Sequence, residues 1–425
     1  MNTSRSTLLV LAMGLMTLHC GPTPPPGTGG SGGSGGTGGG SGGTCNRPSG
    51  TTDPGTAPWT PVATENKGCE CGLDPALLAQ ADRVINTHYA IVRYGKLCHE
   101  FYPGGSDPRT EAYSTTKTLG ALATGIAAYQ TRNLPRTGPK TGPISDGDRA
   151  DHWLDASSIT FNKDARIAHI LAMVGQSPDL SYGRKTWEYD TVGTVQINRL
   201  SDVVNTAVRQ DTERLGANIE EFTQRHIFGA LGMRDSSWSQ GGVNKSYAFS
   251  WNTTVRDMAR VGLLILHRGM WGGTRILNAD WTYRMTHSAF EDSAAGYGYL
   301  TWLNTRPPKT GMGAQNDPCA PPALWKTYPH EFSGAPDCNL AAPASCQQQY
   351  DAGVWMALGL GGQHIVGHPG LDLLIVSKNS GGAPALWEAI RPALLAHDPQ
   401  YRNDNAGFCA AYGGGNYAPD LSRLP

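Results

Sequence analysis

The chain has 425 residues, 39% of them hydrophobic, with Lys+Arg 34 against Asp+Glu 35 and a formal net charge of −1. That length can bury a large core and hold two lobes. The balanced charge excludes a global basic field for nucleic acid or an anionic membrane, and Trp 11 with Tyr 16 excludes a largely disordered chain.

Residues 1–20 read as an export signal. Arg5 gives the positive start, Leu8 to Leu18 is an apolar run too short to span a membrane, and Cys20-Gly21 closes it. A cysteine there looks like the acceptor of a bacterial lipoprotein, so a lipid anchor is expected at Cys20, although Thr17-Leu18-His19 departs from the small residues usual before it. The alternative is ordinary cleavage and a soluble secreted product. Residues 21–72 are rich in Gly, Pro and Ser and read as linker, with Gly27 to Gly43 built of Gly, Ser and Thr alone. The folded domain is expected over 73–400, and a tail over 401–425. Besides Cys20 there are Cys45, Cys69, Cys71, Cys98, Cys319, Cys338, Cys346 and Cys409, an even set that reads as a disulfide framework in an exported chain. Cys69-Glu70-Cys71 is too tight for a zinc knuckle.

Asp74-Pro75 opens the first predicted helix, with aspartate as cap and proline in the first turn. Two β-prone runs around Tyr94-Gly95-Lys96 predict a hairpin over His88 to Tyr102. A long apolar helix follows over 115–129, then helices over Ala165 to Val174, much of Val192 to Leu231, Trp251 through His267, and Asn278 to Met285. Roughly 105–290 is therefore a mostly helical lobe. Residues 305–352, Pro-rich with three cysteines, read as a disulfide-pinned insertion. Val354 to Leu360, Gln363 to Val366 and Leu371 to Ser377 read as strands, and a helix from Pro384 to about Leu395, with Pro392 inside, closes the domain. Strands at both ends with helices between imply an α+β fold: an antiparallel sheet built from both termini, flanked by helices, with the helical lobe inserted.

Tyr113-Ser114-Thr115-Thr116-Lys117 stands at the mouth of the long apolar helix. Three residues apart on one face, Ser114 and Lys117 can meet. Burial disfavours an ammonium, so Lys117 can serve as a base near neutral pH and activate the serine. The alternative is an N-cap serine followed by a snorkelling lysine. His364 and His368 fall in a strand-like run, and His99-Glu100 lacks a helical partner, so no metal site and no cofactor is expected.

With these pieces in order, the chain resembles the serine β-lactamase and penicillin-binding-protein-like family, in the branch holding class C β-lactamases, esterases and 6-aminohexanoate-dimer hydrolases. The carrying residues are Val92-Arg93-Tyr94-Gly95-Lys96, Ser114-Thr115-Thr116-Lys117, Trp187-Glu188-Tyr189-Asp190-Thr191, Asp257-Met258-Ala259-Arg260-Val261-Gly262, Tyr297-Gly298-Tyr299 and Gly359-Leu360-Gly361-Gly362-Gln363. The resemblance implies a β-lactamase-like fold and an acyl-enzyme on Ser114. Tyr189 would share proton transfer with Lys117, whose ammonium favours the ionised phenol. The backbone N–H groups of Ser114 and Leu360 would form the oxyanion hole, with Asn252, Thr191 and Gly359 lining the substrate pocket.

Literal Lys-Thr-Gly at 140–142 and 309–311 and Tyr401-Arg402-Asn403 lie in loop-like sequence and read as decoys. The positional match to the family's Lys-Thr-Gly is Ala357-Leu358-Gly359, and Thr191 stands where an asparagine is expected. Neither alanine nor leucine can bind a β-lactam carboxylate. Amide or ester cleavage of a small-molecule or peptide-like substrate is thus the first reading. β-Lactamase or D-Ala peptidase activity and a non-catalytic surface binding module are the alternatives.

Overall fold

The computed structural model describes residues 52–154, 165–174, 189, 196–239, 244–287, 289–290, 297–303 and 354–396. The export signal with Cys20, the 305–352 insertion, the 401–425 tail, Thr191 and Lys309-Thr310-Gly311 lie outside the described residues.

Asp74 caps α1 (Pro75–Ile85), accepting from the amides of Ala76 and Leu77 at 2.8 and 2.9 Å. Strands β1 (His88–Arg93) and β2 (Lys96–Phe101) follow, joined by Tyr94 and Gly95 at φ 53° and 70°. Two successive positive φ values make the tight turn whose twist matches the strands it joins. Next come β3 (Thr110–Glu111), α2 (Thr116–Thr131), α3 (Arg199–Val208), β4 (Ser237–Trp238), β5 (Trp251–Thr253) and α4 (Val255–Leu266). The chain continues through β6 (Met270–Trp271), β7 (Thr274–Arg275), α5 (Ala279–Thr286), β8 (Trp302–Leu303), β9 (Trp355–Gly359), β10 (Gln363–His368), β11 (Leu373–Lys378) and α6 (Ala383–Leu395).

Six strands form one antiparallel sheet in the order β2-β1-β11-β10-β9-β8, so the two ends of the domain pair at its centre through β1 and β11. Side chains alternate across it as strand geometry requires. Ala90, Val92, Ile365, Leu374 and Val376 face the larger core beneath α4 and α2. Tyr89, Ile91, Val366, Leu373 and Ile375 face a second core under α1 and α6, with Leu78, Trp387 and Ile390. The result is helix, sheet, helix in layers, an α+β sandwich. A disulfide joins Cys71 to Cys98 beside the second core.

The structure departs from the sequence expectations at three places. Residues 52–72 are not all linker: Trp59 sits in the core at 6% exposure, Val62 N–H donates to Leu97 O, and the Gly55 carbonyl accepts from Arg260. Trp251-Asn252-Thr253 is strand rather than helix; Thr254 caps α4, its hydroxyl accepting from the Asp257 amide, and the chain before it pairs with β3 and β4. The helix expected over Ala165 to Val174 is only Ile167–Leu171.

Candidate active site

Ser114 lies in a single 3-10 turn, Tyr113–Thr115, that feeds into α2. Tyr113 takes φ 48°, left-handed for a residue with a Cβ, and such backbone persists only where surrounding contacts fix it. Those contacts come from two sides. The Thr115 hydroxyl donates to Gln363 O at 2.6 Å, and the Ala112 amide donates to Trp251 O at 2.8 Å. The β9–β10 turn is pressed against the same residues. A Cβ at Gly359 would lie 2.4 Å from Ala112 O and 2.9 Å from Thr115 Oγ1, so only glycine fits there. Leu360 follows directly, its side chain 60% exposed.

Thr116 through Ala127 are all buried, because small and apolar residues occupy every side of α2. Lys117 is carried in with them and is 3% exposed. Its Nζ donates to Ser114 Oγ and to Ala248 O, both at 3.0 Å. Burial without a paired carboxylate pulls its pKa down to about 8. The lysine Nζ also stands 4.9 Å from the centre of the Tyr189 ring.

The Tyr189 hydroxyl is hydrogen-bonded to the Ser114 side chain and to that of Trp302, whose indole N–H is the donor. Its ring packs against Trp302 at 5.0 Å and edge-on to Tyr297 at 6.3 Å. Burial raises its pKa, and hydrogen bonds from Ser114 and Trp302 oppose this only in part. The expectation that Lys117 would favour the ionised phenol therefore fails. The amine is itself desolvated, and burial dominates at the phenol. The hydroxyl is neutral at pH 7, and the amine is the group that can accept a proton.

The structure thus brings Ser114, Lys117 and Tyr189 into contact and sets Gly359 and Leu360 beside them. Asn252 is half-buried on β5, opposite Glu111 and Ser237. Thr191 lies outside the described residues. Three supporting groups were not singled out from the sequence. Asn198 Oδ1 accepts from the amides of Tyr247 and Ala248 at 2.8 and 3.2 Å and so orients the carbonyl facing Lys117. Glu111 takes the Ser250 amide at 2.8 Å and the Ser239 hydroxyl at 2.9 Å, fixing the far end of that loop. Trp302 holds the phenol.

Lys140-Thr141-Gly142 lies in a loop after α2, where Thr141 Oγ1 accepts from the Thr137 and Gly138 amides. His364 and His368 are buried on β10, and the described residues hold no cluster of three metal-ligating side chains. A separate cavity of about 440 Å³ lies between β2 and the start of α4, and several of its charged side chains are tied into its walls. Glu100 takes the Arg256 guanidinium, Asp107 accepts the first two amides of α4, and Arg260 donates to Gly55, Ala57 and Leu231 carbonyls.

No family model matches the sequence, and no curated protein matches it. Solved structures do. A provisionally assigned β-lactamase from Bacteroides dorei superposes with a TM-score of 0.50 at 13% identity, covering 75% of this chain and 97% of that one. A provisionally assigned 6-aminohexanoate-dimer hydrolase from Bacillus anthracis gives 0.49 at 16%, over 75% and 80%. A penicillin-binding-protein homologue from Caulobacter crescentus gives 0.49 at 11%, over 75% and 97%. With a two-terminus antiparallel sheet, helices on both faces and a serine at the head of a buried helix, the chain has the fold of the serine β-lactamase and penicillin-binding-protein-like family.

Proposed function

We propose that this chain is a serine hydrolase that cleaves an ester or amide through an acyl-enzyme on Ser114. The observation that carries the reading is the double contact of the Ser114 hydroxyl, with a buried lysine amine on one side and a neutral phenol on the other. Ser114 Oγ adds to the substrate carbonyl carbon, and its proton passes to the neutral Lys117 amine. The oxyanion that forms is met by the backbone N–H groups of Ser114 and Leu360. Collapse breaks the bond to the leaving alcohol or amine, which takes a proton from the Tyr189 hydroxyl. Lys117 returns a proton to Tyr189. Water then adds to the acyl-enzyme, giving its proton to Lys117; the bond from Ser114 Oγ to the acyl carbon breaks, Lys117 returns that proton to Ser114 Oγ, and the acid departs.

On β9, which leads into Gly359, Ala357 faces the larger core and Leu358 packs on the second one, so neither supplies the cation or hydroxyl that a β-lactam carboxylate would need. An ester or uncharged amide therefore suits the site better than a penicillin. A fluorophosphonate probe with p-nitrophenyl acetate and nitrocefin tests the proposal. Expected are a stoichiometric mass increase on Ser114, absent in Ser114→Ala, ester turnover, and little nitrocefin hydrolysis. No labelling and no turnover would leave a binding module.

Export belongs to the same proposal. The Arg5-to-Leu18 signal and the Cys71–Cys98 disulfide both suit an oxidising compartment, with Cys20 as lipid acceptor on a tether. Radiolabelled palmitate incorporated by the wild type and not by Cys20→Ser would establish the anchor.

A further inference from the structure

Among the described residues the large apolar side chains left exposed are Val84, Tyr113, Phe249, Tyr283 and Leu360. Three of these five adjoin in the chain a residue that builds the site. Tyr113, 42% exposed, precedes Ser114 in the chain. Phe249, 48% exposed, follows Ala248, whose carbonyl lies 3.0 Å from the Lys117 amine. Leu360, 60% exposed, follows Gly359, which is packed onto Ala112 and Thr115. Single exposed apolar residues are ordinary, whereas one on each of the three segments that carry the serine, the carbonyl on its lysine and the turn packed beside it points to a contact surface. Toward the interior the apolar lining continues through the rings of Tyr189 and Trp302.

Among the described residues, the charged side chains on and against these segments are engaged by the protein itself. Glu111 holds the Ser250 amide and the Ser239 hydroxyl, Arg109 donates to Ser237, and Lys378 donates to Thr110 and Thr253. Lys117 is buried on Ala248 and Ser114. We infer that the site takes an uncharged ester or amide bearing a sizeable apolar substituent, which lies on Tyr113, Phe249 and Leu360 while Ser114 attacks its carbonyl. This inference rests on the serine-hydrolase reading above.

Two ester series on the full chain test it and show which side of the carbonyl the group occupies. One is p-nitrophenyl acetate, butyrate, hexanoate and octanoate; the other is methyl to octyl acetate. In at least one, kcat/KM should rise roughly two- to fourfold for each methylene buried. Flat or falling values in both overturn the inference while leaving the hydrolase intact. Absence of all turnover together with no fluorophosphonate label on Ser114 overturns the hydrolase itself. The mono-p-nitrophenyl ester of suberic acid, an octanoate ending in a carboxylate, should react at least tenfold more slowly than the octanoate; an equal or faster rate counts against the inference. Phe249→Ser should lower the long-to-short ratio roughly tenfold. Val84→Ser, at an exposed apolar residue on the far side of the sheet, should leave that ratio unchanged. An unaltered ratio in Phe249→Ser removes the rim from substrate selection.

Discussion

The Lys117 amine stands 3.0 Å from the Ser114 hydroxyl on a residue that is 3% exposed, and burial draws its pKa to about 8. The proposed mechanism needs the unprotonated amine. As pH rises through about 8 the ammonium loses its proton, so kcat/KM should climb tenfold per unit below that point and level above it. Tyr189, with its pKa raised, stays protonated and adds no falling limb near neutrality. The profile of p-nitrophenyl ester hydrolysis between pH 6 and 9.5 checks this, and a pH-independent rate would remove Lys117 as base. Stability carries the same signature. A lysine whose folded pKa lies below its unfolded 10.5 costs stability below about pH 8, a cost that vanishes as pH rises toward 10.5. Measured against Lys117→Met, the wild type should gain up to about 3 kcal/mol in denaturant stability between pH 7 and 10.

The serine depends on the turn packed over it. A Cβ at Gly359 would meet the Ala112 carbonyl at 2.4 Å, and backbone cannot rotate away as a flexible side chain could. Gly359→Ala should therefore push the Leu360 N–H off the developing oxyanion. A displacement of about 1 Å can cost on the order of 100-fold, so kcat should fall by roughly that factor with KM little changed. A variant with unaltered kcat would show that the Leu360 amide takes no part.

The disulfide ties the segment before α1 to β2, with a sequence separation of 27 between Cys71 and Cys98. Closing a loop of that length restricts the unfolded chain by about 3–4 kcal/mol. Replacing both cysteines by alanine should lower stability by about that amount while Ser114 labelling persists. A double variant as stable as the wild type would make the bridge dispensable.

Local chemistry made part of this site legible. Asp74 as a cap, Tyr94-Gly95 as a turn and Ser114 ahead of a buried helix each follow from a few adjacent residues, and each is found where expected. What escaped depends on partners far along the chain. Ala248 serves Lys117 through its backbone carbonyl, which carries no side-chain signal, and it is held by Asn198 from another segment. Trp251-Asn252-Thr253 precedes the α4 cap without a breaker, so the strand merges with the helix in sequence and is set only by pairing with β3 and β4. The phenol's state likewise turns on Trp302 and on the depth of burial. Neither is written near Tyr189.

Lys378 illustrates how a second buried lysine can matter without touching the reaction. It is fully buried at the end of β11, and burial lowers its pKa to about 8 against the pull of Asp107, Asp257 and Glu111. Its Nζ donates to Thr110 O at 3.2 Å, to Thr110 Oγ1 at 2.9 Å and to Thr253 O, which fastens the β3–β5 sheet to the main one. Lys378→Met leaves the buried Thr253 carbonyl short of a donor, at about 1–3 kcal/mol, and frees the more exposed Thr110 oxygens to water at less cost. It also relieves the desolvation of an ammonium, worth up to about 3 kcal/mol by the drop from 10.5 to about 8. The two nearly cancel, so the melting temperature at pH 7 should move by only a few degrees. Geometry has no such compensation. Thr110 leads through Glu111 and Ala112 into the Ser114 turn, and loosening it should reduce kcat at least tenfold while the circular dichroism spectrum is unchanged. A large loss of stability with kcat retained would make Lys378 a structural tether that has no bearing on where the serine sits.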